Sequence, residues 1–169
     1  DLGPHDIGIL NYILDSEPIK VRATGFNPFE EIYDFACHSN CDLVYENNLF
    51  ASVTLSWLSA IKTRRMIFGG TKETVVYDHL DEDQQIKIFK QSILPSEIDA
   101  STQFEYSVGE TVLPLIDNIE PLKKEIEEVV RCLKTNTKFV SDVDHAIKTI
   151  KVIESLQLSL MSNSEFIDT

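Results

Sequence analysis

Asp42-Leu43-Val44-Tyr45-Glu46-Asn47-Asn48-Leu49-Phe50-Ala51-Ser52-Val53-Thr54-Leu55-Ser56-Trp57-Leu58 is the stretch whose reading decides the fold. Residues 42–46 and 49–58 read as two strands. Asn47-Asn48 between them suits a two-residue hairpin turn, because Asn tolerates positive φ. In the longer strand Ala51, Val53, Leu55 and Trp57 share one face, and Ser52, Thr54 and Ser56 share the other. Alternation this regular places one apolar face in a core and leaves a small, polar face elsewhere. Trp57 reads as a core anchor.

Strands continue on both sides. Upstream, residues 19–26 form a strand with Ile19, Val21 and Ala23 inward and Lys20, Arg22 and Thr24 outward. Residues 27–40 form an irregular connection carrying Phe29, Tyr33 and Phe35 among Glu30, Glu31 and Asp34. These rings either cover a ligand or plug a core edge. Downstream, residues 64–68, 74–78 and 85–90 are strands separated by Gly69-Gly70 and the acidic turn Asp81-Glu82-Asp83, which is an antiparallel meander. Arg64 and Arg65 read as salt-bridge partners. Phe104 and Tyr106 suggest a further short strand.

Helices flank the strands. Ile7, Leu10 and Leu14, widened by Ile9 and Ile13, follow the 3.6-residue period behind Gly3-Pro4. Residues 119–134 carry the stripe Leu122, Ile126, Val129, Val130 and Leu133. Ser141-Asp142-Val143-Asp144 resembles a capping box that opens a helix to about Met161, with Val143, Ile147, Ile150, Ile153, Leu156, Leu158 and Leu160 as its apolar set. Residues 163–169 read as a fraying terminus. One helix, a run of strands and two helices give an α+β fold: a mostly antiparallel open sheet with helices on one face, the other face free to pair with a second copy. Residues 1–169 read as a single domain.

Composition narrows the function. The net charge of −13 argues against a nucleic-acid surface. No apolar run is long enough to span a membrane. Cys37, Cys41 and Cys132 are odd in number and irregular in spacing, which points to reduced thiols in a cytoplasmic protein. Cys37-His38-x-x-Cys41 offers three candidate metal ligands in a spacing that fits no strong zinc pattern, so no metal site is expected.

The chemistry lies at the start of the first helix. His5 falls in its first turn, where outward N–H groups and the helix dipole favour neutral imidazole, the form a general base needs. Asp1, four residues earlier, can stabilise the imidazolium once a proton arrives. On spacing alone His5 reads first as a polar first-turn residue. His145 reads as structural.

Asp1-Leu2-Gly3-Pro4-His5-Asp6 with its Ile/Leu-rich helix resembles the Asp-x-x-x-His segment of the glucose–fructose oxidoreductase / inositol dehydrogenase (Gfo/Idh/MocA) family. Ser56-Trp57-Leu58-Ser59 with Lys62, Arg64 and Arg65 resembles that family's Ser-Trp strand and the basic stretch after it. Phe68-Gly69-Gly70-Thr71-Lys72-Glu73 with Val75-Val76-Tyr77-Asp78 resembles its Gly-Thr turn. Glu120-Pro121-Leu122 with Glu125 resembles its Glu-Pro-Leu helix start. The four matches run in the family's order across most of the chain.

The resemblance implies the C-terminal domain of an NAD(P)-dependent sugar oxidoreductase, with the N-terminal Rossmann domain and its Glu-Lys-Pro motif absent from this chain. It implies His5 as the acid/base for a hydroxyl-bearing carbon of a sugar, cyclitol or nucleotide-sugar, with Asp1 in support. NAD or NADP would be held mainly by the absent domain, so the isolated chain should not turn over substrate. The family commonly pairs sheet to sheet as dimers or tetramers. The alternative is a non-catalytic dimerisation and ligand-recognition module. A third possibility keeps the enzyme but exchanges hydride internally on tightly held cofactor.

Overall fold

A computed structural model describes residues 2–95, 104–116 and 119–169, excepting the side chains of 94 and 95. The chain divides into two compact units, residues 1–59 with 121–169 and residues 60–120. Among the described residues no helix is long and apolar enough to cross a membrane.

Unit 1 is built on a sheet ordered β10-β1-β2-β3, with β1 Lys20–Phe26, β2 His38–Val44, β3 Phe50–Ser56 and β10 Ile167–Asp168. All three pairings are antiparallel. The predicted turn is present: Asn47 and Asn48 have φ of 57° and 60°. Register places Val21, Leu43 and Ala51 in one row and Ala23, Cys41 and Val53 in the next. This inner face packs with Ile7 of α1 (Gly3–Leu14) and with Val152 and Leu156 of α3 (Val143–Met161) as one core.

The outer face is polar and cross-linked. Arg22 pairs with Asp42 at 2.5 Å, Ser52 donates to Asp42 at 2.8 Å, and Thr54 donates to Asn40 at 2.9 Å. Phe166 lies under the Arg22 guanidinium at 4.8 Å.

Several sequence expectations need correction. Ile9, Ile13 and Ile19 are exposed, because α1 turns Ile7, Leu10, Asn11 and Leu14 inward with Gly3, and β1 buries Val21 and Ala23. Trp57 is 59 % exposed, so it is no core anchor: β3 ends at Ser56, beyond the last core row. α3 is rotated from the predicted stripe. It buries Thr149, Val152, Ser155, Leu156 and Ser159 and exposes Val143, Ile147, Ile150 and Leu158. Ser159 faces β1, and Thr149 faces Gly8 of α1, at close approaches that favour small side chains. The α3 cap is Asp142, whose side chain accepts from His145 N. The apolar stripe of α2 (Pro121–Thr135) is exposed, and Cys132 is its one buried residue. Residues 167–169 do not fray: Ile167 pairs with Val21, and Thr169 hydrogen-bonds to Ile19 and Pro18.

Unit 2 carries a second antiparallel sheet, β4 Arg65–Gly69, β5 Thr74–Asp78, β6 Ile86–Phe89 and β9 Thr111–Val112, with a separate ribbon of β7 Ile93–Pro95 and β8 Phe104–Tyr106. The meander expectation holds here. Arg65 pairs with Asp78 at 3.5 Å, as its strand position requires. Asp81 forms the predicted turn, accepting from the Asp83 and Gln84 amides and from Lys87.

Candidate functional site

His5 occupies the third position of α1, and its side chain is exposed. The helix starts there for local reasons. Pro4 presets φ and removes one N–H that the first turn could not pair internally. Leu2 at the cap makes no side-chain hydrogen bond. The other first-turn N–H groups therefore keep the helix dipole uncompensated by a cap at the imidazole. Asp6 adds a carboxylate to the same turn. Asp1 lies outside the described residues.

Gly3 anchors this helix start. A Cβ on it would stand 3.1 Å from Ile153 Cδ1 of α3 and 3.2 Å from Leu55 Cδ1 of β3. The next rung of the sheet joins Phe26, His38 and Ser56. Beyond it, the Trp57 amide donates to the Cys37 carbonyl at 2.9 Å, and the Cys37 amide donates to the Phe26 carbonyl at 2.9 Å. One end of unit 1 thus collects His5, the connection 27–37 and the Ser56-Trp57 strand end. By strand alternation Trp57 falls on the helix-bearing face with Leu55.

The connection is a folded loop. Asn27 Nδ2 donates to the Tyr33 carbonyl at 2.7 Å, and Asn27 Oδ1 accepts from the Phe29 amide at 2.9 Å and the Cys37 thiol at 3.3 Å. Phe29 and Tyr33 meet edge to face at 6.4 Å, and Tyr33 and Phe35 lie tilted at 5.2 Å. All three rings are about half exposed, at 47 %, 46 % and 51 %. They do not plug a core edge.

The other candidates are apart from this end. Cys41 faces the core beside Val21 and Leu43, where burial first and the adjacent Asp42 carboxylate second push its thiol up to about 11. It is a neutral packing group near pH 7. The three cysteines are all free thiols. His145 sits in the first turn of α3, with its Nε2 3.4 Å from where a Gly8 Cβ would lie, which suits a packing role. Tyr77 OH and His79 Nδ1 hydrogen-bond at 3.0 Å in unit 2. At the opposite end of α1, Asn11, Tyr12, Asp15 and Glu17 line an open cleft of about 570 Å³ with Asp142, His145 and Lys148, where Lys148 pairs with Glu17 at 3.0 Å.

Comparison with known proteins bears on the His5 end. Residues 1–76 match the family model of the GFO/IDH/MocA C-terminal domain. The chain is 22 % identical over 157 residues to D-xylose 1-dehydrogenase [NADP(+)] of Haloarcula marismortui, covering 92 % of this chain and 39 % of that protein. It superposes on UDP-N-acetylglucosamine 3-dehydrogenase from Acidithiobacillus ferrooxidans with a TM-score of 0.73 at 16 % identity, over 96 % of this chain and 46 % of that one. It superposes on the glycerol complex of aldose–aldose oxidoreductase from Caulobacter crescentus with a TM-score of 0.74 at 13 % identity, over 99 % and 46 % of the two chains. At these identities the superpositions establish a shared fold. The chain spans less than half the length of each of these relatives.

Proposed function

We infer from residues 1–76, which match the family model of the GFO/IDH/MocA C-terminal domain, that this chain is the substrate-binding and assembly part of an NAD(P)-dependent oxidoreductase. Residues 1–169 serve as one functional domain of that enzyme. The reaction moves a hydride between nicotinamide and a hydroxyl-bearing carbon of a sugar, cyclitol or nucleotide-sugar. The observation that carries this reading is the position of His5: exposed, in an uncapped first turn, inside the matched segment.

The chain's residues offer no dinucleotide cradle, since its glycines never form the Gly-x-Gly-x-x-Gly pattern. The cofactor is therefore assigned to a separate domain, where nicotinamide supplies the hydride acceptor. His5 takes the hydroxyl proton as the carbon becomes a carbonyl and returns it in the reverse direction. Asp1 orients His5 and supports the imidazolium once the proton has moved.

Replacing His5 by Gln in the full-length enzyme tests this. We expect kcat to fall by about 10²–10⁴, as for loss of a general base, with cofactor binding unchanged and the acid limb of the pH profile gone. Turnover near wild type at saturating cofactor would remove the catalytic role.

The outer face of the unit 1 sheet is assigned to a second copy, giving a homodimer or a tetramer built as a dimer of dimers. Thr24, Asn40, Ser52 and Thr54 are exposed there, and Ser52 and Thr54 are tied across strands. A face of this kind meets a symmetry mate through hydrogen bonds. Sedimentation should show a dimer that Thr54→Arg converts to monomer. The free thiols suit a reducing compartment, and we place the protein in the cytoplasm.

A further inference from the structure

We propose that the His5 end of unit 1 selects uncharged polyols, neutral sugars or cyclitols, over phosphorylated, carboxylated or nucleotide-linked ones, with Phe29, Tyr33 and Phe35 as the wall on which the substrate ring stacks. The inference rests on the oxidoreductase reading above and narrows its substrate class.

Two independent observations carry it. The first is the ring cluster. Phe29-Glu30-Glu31-Ile32-Tyr33-Asp34-Phe35 interleaves three rings with three carboxylates on one short loop. Asn27 clamps both ends of that loop, so the rings are presented in a defined arrangement. They contact one another and still leave about half of each surface in solvent. Trp57, 59 % exposed, stands at the same end. A pyranose or cyclitol has an apolar C–H face ringed by hydroxyl donors. Aromatic faces match the first, and carboxylates accept from the second.

The second observation is the distribution of cations. Residues 1–19, 23–61 and 152–169 contain no Lys or Arg. These segments supply the α1 start, the 27–37 connection, the end of β3 and the last turns of α3. Leu160 Cδ2, in the last turn of α3, is 2.9 Å from where a Gly25 Cβ would lie. The two cations on β1, Lys20 and Arg22, lie ~20 and ~13 Å down the strand from Phe26 at a strand rise of about 3.3 Å per residue. Both are engaged, Lys20 with Asp168 at 4.0 Å and Arg22 with Asp42. A phosphate or carboxylate substrate therefore meets Glu30, Glu31 and Asp34 with no Lys or Arg in the segments that form this end, and like-charge juxtaposition rejects it.

The test uses the full-length enzyme with saturating NAD or NADP and a panel of a neutral aldose, inositol, the aldose phosphate, the uronate and a UDP-sugar. We expect kcat/KM for the best neutral polyol to exceed that for every anionic one by at least about tenfold. The double variant Glu30→Gln/Glu31→Gln should narrow that ratio severalfold. Tyr33→Ala should raise KM for the neutral substrate about tenfold, with kcat little changed. Preference for an anionic sugar, or a ratio unmoved by the double variant, overturns this inference and leaves the oxidoreductase reading standing. Failure to turn over any polyol with either cofactor removes both.

Discussion

The Ser159 hydroxyl accepts the Ala23 backbone N–H at 2.9 Å, a fully buried contact that joins α3 to β1. The same hydroxyl donates to the Glu165 carbonyl at 2.6 Å. β10 pairs with β1 only at Lys20 and Val21, so further along the strand a helix side chain takes over from a neighbouring strand. Ser159→Ala would strand the buried Ala23 N–H and release the Glu165 carbonyl. The expected loss is about 1–3 kcal/mol, read as a lower urea midpoint at constant m. An unchanged midpoint would show that the hydroxyl is dispensable.

Two buried polar groups have the opposite standing. Both amide atoms of Asn11 and the hydroxyl of Tyr45 lack a hydrogen-bond partner among the described residues, although Asn11 is 6 % exposed and Tyr45 2 %. Burial pushes the Tyr45 hydroxyl up to about 12. Asn11→Leu and Tyr45→Phe remove the desolvation cost of these groups, and each should stabilise the unit by up to about 1–3 kcal/mol. Lower melting temperatures for both variants would mean that water or another group satisfies these atoms.

Gly25 and Gly69 provide a matched contrast. A Cβ on Gly25 would lie 2.9 Å from both Ala36 Cβ and Leu160 Cδ2, whereas one on Gly69 meets nothing within 4 Å. Neither glycine has positive φ. Gly25→Ala should cost about 1–3 kcal/mol through overpacking. Gly69→Ala should be neutral or stabilising by up to about 1 kcal/mol through the unfolded chain. Equal effects in thermal unfolding would refute the steric account.

Acid stability should depend on Asp42. The Arg22 guanidinium, first by hydrogen bonding and then with help from Ser52, holds this carboxyl below its ordinary value against the opposing effect of burial. Its folded-state pKa is thus lower than its unfolded one. The pair's contribution is fully present above about pH 4, the unfolded carboxyl range, and is lost as pH falls through the lowered folded value. The Arg22 side chain is 43 % exposed, so screening limits the effect to about 0.5–1 kcal/mol. Asp42→Asn should lower stability at pH 7 and flatten the fall between pH 4 and pH 2, as followed by circular dichroism. A parallel acid profile in the two proteins would rule the pair out.

The sequence by itself determined the three helices, the main strands and the position of the central turn, although the observed register sets Val44 opposite Phe50, one residue from the pairing that a two-residue turn alone implies. Local chemistry decides these: Asn47-Asn48 accept positive φ, alternation sets the two faces of β3, and Gly3-Pro4 starts a helix. It also brought His5 to notice, through its spacing from Asp1 and the neighbouring motif.

Only the tertiary structure decided which apolar residues count as core. Trp57 alternates correctly with Leu55, yet nothing in unit 1 covers the strand beyond the last rung. α3 buries Ser159 against β1 and Thr149 beside Gly8 of α1, close approaches that favour small side chains and that hydrophobic periodicity does not encode. Residues 167–169 look like a free end in sequence, yet the edge of β1 offers them hydrogen bonds some 150 residues away in the chain. The gathering of His5, the Asn27-clamped rings and Trp57 at one end depends on the β1–β2–β3 pairing and on the packing of Gly3 against Leu55 and Ile153, contacts that no single local signal carries.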